Sequence, residues 1–155
     1  MSAPTASTHI HVGTPPPGFK EWVTQTVHVY DFSSLTSVRG ESVALPEFML
    51  LGNQWCLELY PGGNEDADEG MTSLYLCNMS NKAIDAEYGF SIYHMEGKQF
   101  RKQVANKQKA TPCNFASVGD DDGISARGFT NFALCSDLLS AMAYGALFIE
   151  VRVRV

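Results

Sequence analysis

Four cysteines and four histidines are the side chains of this sequence that could carry nucleophilic or metal chemistry. Cys56, Cys77, Cys113 and Cys135 stand far apart, and none falls in a C-x-x-C spacing. A structural zinc site takes its ligands in closely spaced pairs, so no metal site is expected from them. Buried free thiols in a reducing compartment are the expectation instead. His9 and His11 lie two apart and would share one face of an extended segment, as metal ligands can. They stand in a polar tail, where solvated side chains are expected. His28 and His94 sit in strand-like runs with no acidic or cysteine residue immediately adjacent, and are expected to pack in the core or at the surface.

The acidic runs Glu65-Asp66-Ala67-Asp68-Glu69 and Asp120-Asp121-Asp122 offer hard oxygen ligands of the kind calcium uses, but neither has the spacing of an EF-hand loop. Both read as solvated turns. The sequence holds no H-E-x-x-H, G-x-S-x-G, phosphate-binding loop or dinucleotide fingerprint. Catalysis and cofactors are therefore not expected, although a Cys–His pair brought together by the fold would reopen the question. Five of the eleven cations (Lys98, Arg101, Lys102, Lys107, Lys109) fall in one short run. Phe100 is the single aromatic within the run and no RNA-binding signature accompanies it, and with a net charge of -6 nucleic acid and anionic lipid are not expected partners.

The elements that must hold these residues alternate with period two. Gly145–Val155 places Leu147, Ile149, Val151, Val153 and Val155 on one face, with Phe148, Glu150, Arg152 and Arg154 on the other. That is a strand with one polar face. Trp22–Tyr30, Gln54–Tyr60, Met71–Met79, Ala86–Met95, Lys98–Val104 and, more weakly, Thr111–Val118 also read as strands. Pro46 should break Ser42–Leu51 or place it at an edge. The turn Asp31–Ser34, Pro61-Gly62-Gly63, Gly97 and the loop Gly119–Gly123 punctuate the series. One helical turn is expected at Asp137–Ala143, capped by Ser136 or Asp137.

Such a series indicates an antiparallel all-β sandwich or barrel. Met1–Gly18, rich in Ser, Thr, Ala and Pro, reads as a flexible tail, and 19–155 as one domain. Neither a secretory h-region nor an apolar run of membrane-spanning length is present, so a cytoplasmic or nuclear location is expected.

Several segments, taken in order, resemble a MATH (meprin and TRAF homology) domain. Val27–Leu35 is similar to the family's opening strand with its x-x-F-S-x-L end, and Trp55–Gly63 to its W-x-L-x-x-Y-P-x-G signature. Ser73-Leu74-Tyr75-Leu76 resembles L-S-L-Y-L, and Tyr88–Ile92 resembles F-x-F-S-I. Arg127-Gly128-Phe129 stands where the family has W-G-F, and Phe148–Val151 resembles the closing strand. The resemblance covers roughly 22–155. It implies an eight-stranded antiparallel sandwich that binds short extended peptides of partner proteins. In the family's BTB-linked branch, typified by the speckle-type POZ adaptors, such domains select substrates for cullin ubiquitin ligases.

On this resemblance Tyr75, Tyr88 and Phe129 fall at groove positions, with Phe115 and Cys113 near another groove segment. Tyr75 alternates against Leu74 and Leu76, as a groove residue should. Tyr88 shares parity with Ala86, Phe90 and Ile92, so core and groove both remain open for it. Arg127 replaces a tryptophan, removing an apolar wall and adding a cation that an acidic or phosphorylated ligand could meet. Peptide preference is therefore not carried over. The 155 residues contain no BTB domain and no coiled-coil heptads. Taken alone, the chain is expected to be a lone binding module; as part of a longer protein, a substrate adaptor. A self-associating sandwich without a groove is the competing expectation, and the oligomeric state is left open.

Overall fold

A computed structural model describes residues 12–18, 20–96 and 99–155. Its strands in chain order are β1 (Val23–Tyr30), β2 (Val43–Ala44), β3 (Phe48–Leu50), β4 (Asn53–Tyr60), β5 (Met71–Asn78), β6 (Ile84–Glu96), β7 (Gln99–Phe115), β8 (Ala126–Leu134) and β9 (Ala146–Arg154), with a 3-10 turn at Phe32–Ser34 and a short α-helix, α1 (Cys135–Ser140). They form two antiparallel sheets packed as a sandwich. One runs β1-β9-β6-β7; the other runs β2-β4-β5-β8, with β3 also on β4. β2 and β3 pair with opposite ends of the same strand and are separated by Pro46, which cannot donate to a ladder. Counted as one broken edge, they bring the strand number to the expected eight.

Alternation carries the core. Leu147, Ile149, Val151 and Val153 of β9 face Trp55, Leu57 and Leu59 of β4 and Leu74 and Leu76 of β5 in a single fully buried cluster. Each such side chain contributes roughly 1.5–3 kcal/mol by leaving water. Trp55 is wholly buried, and its indole N–H donates to Leu50 O at 3.1 Å, so its polar atom is satisfied inside the core. Asn78, also fully buried, donates to Lys82 O and to the carbonyls of Phe115 and Ala116, tying the end of β5 to the end of β7. Its amide is thus committed to the fold, although Asn78-Met79-Ser80 spells a glycosylation sequon.

The structure differs from the sequence expectation at four places. β7 is one strand of 17 residues where two separate strands were expected. The polar link Ala105–Ala110 has no apolar alternation, yet it stays in the ladder because β6 continues opposite it through three register shifts. β8 was not expected as a strand at all. Its Phe129 and Phe132 lie three apart, which breaks period two; a register shift against β5 turns both toward Phe90, at 6.0 and 5.9 Å. The outer face of β9 is not simply polar surface. Phe148 and Glu150 are 2% and 1% exposed there, with His28 edge-on to Phe148 and the Tyr93 hydroxyl donating to Glu150 at 2.8 Å. Finally, α1 starts from Leu134 without a side-chain cap. Ser136 and Asp137 lie within its first turn.

Candidate functional site

At one side of the sandwich the two sheets end in β7 and β8, and side chains cross the seam between them. Lys107 pairs with Phe90, and Arg127 with Leu76, so both cations start on the inward faces of edge strands. Arg127 Nε donates to Asn114 O at 3.2 Å, from β8 to β7. Lys107 Nζ donates in the other direction, to Asn131 O at 3.3 Å, and lies 5.9 Å from the centre of the Phe129 ring.

Beneath them is a chain of aromatic contacts. Phe129 touches Tyr88 and Phe90, each at 6.0 Å between ring centres; Tyr88 touches Phe115 at 5.7 Å, and Phe115 touches Trp55 at 5.3 Å. Phe129 is half-buried, whereas Tyr88 and Phe115 are 2% and 0% exposed. They lie as a floor below Phe129, continuous with the core. Cys113 is half-buried and packs against the same cluster. Burial pushes the Tyr88 hydroxyl up to about 12, with Cys113 adding to the shift and Arg127 opposing it. Five of the six residues expected at the groove are thus brought together.

Tyr75 is on the other face of β8. Leu74 and Leu76 pair with Phe129 and Arg127 and share their inward face, while Tyr75 pairs with Gly128 and points outward. Its hydroxyl receives the amide of Asn64 at 2.5 Å and lies 2.9 Å from the hydroxyl of Thr130, and its ring is edge-on to Tyr60 at 5.8 Å. The Tyr60 hydroxyl donates to Glu58 at 2.6 Å, a bond that is the main cause of its pKa rising to about 12. A Cβ at Gly128 would meet Leu74 O, Tyr75 Cα at 2.6 Å and the Tyr75 ring at 2.9 Å. Only glycine lets the ring lie across β8. Sequence reasoning quoted Gly128 in the R-G-F triplet without this reason, and it missed Thr130, Asn64 and Asn131 altogether.

Between Phe129 on one side and Tyr75 on the other runs the free edge of β8. This strand pairs with β5 alone among the described residues, and Ala126–Phe129 keep a regular register with Cys77–Leu74. A regular edge flanked by aromatic side chains on both faces offers main-chain hydrogen bonds and side-chain contacts to an extended chain laid beside it.

A family model for the MATH domain matches residues 24–153. The chain belongs to the MATH domain family. No curated protein matches it. MATH domains are protein–protein interaction modules, and a partner of this one is accordingly a protein.

The other chemical candidates are dispersed in this MATH domain. Cys56 and Cys77 are free thiols directly opposite one another on β4 and β5, and both are buried. Burial pushes both above the ordinary 9.0. His28 stacks on Phe148 and Tyr30. His9, His11 and Lys98 lie outside the described residues. Among the described residues no three His, Cys, Asp or Glu side chains are grouped to hold a metal ion, and no helix is long and apolar enough to cross a membrane. The acidic loop after β4 is turned inward on itself: Asp66 N–H bonds Asn64, Asp68 pairs with the Asn131 side chain, and Arg39 donates to Ala67 O. Arg39 also lines a cavity of about 410 Å³ with Pro61, Glu69, Met71 and Cys135, at the end of the sandwich.

Proposed function

We propose that this MATH domain holds a short extended peptide of a partner protein along the free edge of β8, with the peptide's side chains resting alternately toward Phe129 and Arg127 and toward Tyr75. The observation that carries this reading is the regular Ala126–Phe129 edge, unpaired among the described residues, with half-buried aromatic rings on both of its faces. Main-chain bonds to such an edge supply affinity, and alternate side-chain contacts supply specificity. Tyr88, Phe115 and Cys113 act from below, setting the height and stiffness of Phe129. Aromatic contact area of this kind loses little conformational entropy on binding.

Beside a BTB domain, the same edge would present substrate segments to a cullin ubiquitin ligase. That use is tested by asking whether cullin is recovered with the full-length protein from cells and lost when the edge is altered.

The peptide reading is tested by screening the domain against a library of short Ser/Thr-rich peptides with wild type, Tyr75→Ala and Phe129→Ala. Selective micromolar binding that both substitutions weaken, in variants that still unfold cooperatively, is the expected result. A free strand edge also suits pairing with a second copy. Concentration-dependent dimerisation of a folded domain that ignores every peptide would favour that alternative.

A further inference from the structure

We infer that Arg127 and Lys107 make the β8 edge selective for peptides carrying an Asp or Glu side chain next to the apolar side chain seated on Phe129; this rests on the peptide reading above. The protein as a whole carries a net charge of -6. The seam is a local exception. Its two cations approach from opposite strands, and Phe129 lies between them.

Among the described residues neither cation is given an ion-pair partner. Arg152 pairs with Glu150 and Arg154 with Glu87, both on the outer face of the other sheet. The carboxylates of Asp85 and Asp68 are engaged by amides, Asp85 by Asn114 at 2.9 Å and Asp68 by Asn131 at 3.2 Å. Arg127 spends its Nε on a backbone carbonyl, which leaves the terminal nitrogens of the guanidinium fork as donors. Lys107 spends one donor on Asn131 O and keeps two.

A carboxylate is the acceptor that suits such a pair, because charge-assisted hydrogen bonds are shorter and stronger than neutral ones, and a guanidinium fork can hold both oxygens. Inward-pointing charges on edge strands also discourage pairing with another strand of neutral or basic character. An acidic segment is what they admit. The residue that replaces the family's tryptophan thus removes an apolar wall and substitutes a polar selector at the same position.

The test uses three libraries of short capped peptides, identical except for a fixed central Glu, Gln or phosphoserine, titrated by fluorescence anisotropy against wild type, Arg127→Gln, Arg127→Lys and Lys107→Gln. Wild type is expected to favour the Glu library over the Gln library by about tenfold. Arg127→Gln should abolish most of that preference, Lys107→Gln part of it, and Arg127→Lys, which keeps charge but loses the fork, should fall between. Equal affinity of wild type for Glu and Gln libraries would overturn the acidic selectivity while leaving the peptide reading standing, whatever the phosphoserine library does. Failure of all three libraries to bind a folded domain would instead overturn the peptide reading on which it rests.

Discussion

Gly128 is where one atom decides the geometry of the edge. A methyl group there would fall against Leu74 O and within 2.6 Å of the Tyr75 Cα, backbone that can yield only by moving β5 from β8. Gly128→Ala is expected to cost about 1–3 kcal/mol in denaturant unfolding. Gly119→Ala, with nothing within 4 Å, should change little, and equal effects would contradict the close approach. A second residue-scale expectation concerns Glu87, which accepts Arg154 Nε at 2.5 Å; this bond is the main reason its pKa lies below the ordinary 4.5. A carboxylate with a depressed folded pKa contributes stability above its unfolded value and loses it as pH falls through the folded one. Glu87→Gln should therefore be less stable than wild type at neutral pH and converge with it in acid, below the ordinary value of 4.5. Parallel stability curves down through that range would contradict the pairing. The buried thiols give a third. Raised pKa values leave little thiolate on Cys56 and Cys77, so iodoacetamide followed by peptide mapping should label half-buried Cys113 and Cys135 before them. Prior labelling of Cys56 would be inconsistent with its burial.

Among the elements, β8 shows most clearly what a sequence conceals. Phe129 and Phe132 are three apart, a spacing that neither supports a strand nor extends to a helix. The register shift against Thr72 and Leu74 resolves it by inserting residues into β8 alone, which is visible only once β5 lies beside it. Both rings then reach Phe90, but Phe132 is 1% exposed and Phe129 half-buried. Phe132→Ala is expected to cost about 3–5 kcal/mol and Phe129→Ala clearly less, with the larger functional loss falling on Phe129. The reverse order of stabilities would contradict the bulged register. By contrast, β1, β4, β5 and β9 were legible from alternation alone, and the break at Pro46 from the chemistry of proline. β7 was legible only in pieces, since its central Ala-Asn-Lys-Gln-Lys-Ala has no apolar side chain larger than alanine and is held by its partner strand. The outer face of β9 misled for a related reason: alternation reports which residues share a face, not what another strand's side chains place over it.

For the whole molecule, the informative arrangement is the meeting of β7 and β8 as the adjacent edges of two sheets. Nothing local predicts it, because the residues concerned come from strands ordered β1-β9-β6-β7 and β2-β4-β5-β8. The family resemblance supplied the set Tyr75, Tyr88, Phe129, Arg127, Phe115 and Cys113; the fold divides that set into a floor, a seam and an outer face separated by one strand. In the proposed complex a peptide becomes a neighbour of β8. Amide hydrogen exchange, followed residue by residue with and without the tightest peptide from the screen, tests this most directly. N–H groups on the free side of Ala126–Phe129 are expected to become protected on binding, while the β1 and β2 edges stay unchanged. Protection confined to β1, β2 or the cavity at Cys135, with Ala126–Phe129 exchanging as before, would contradict it.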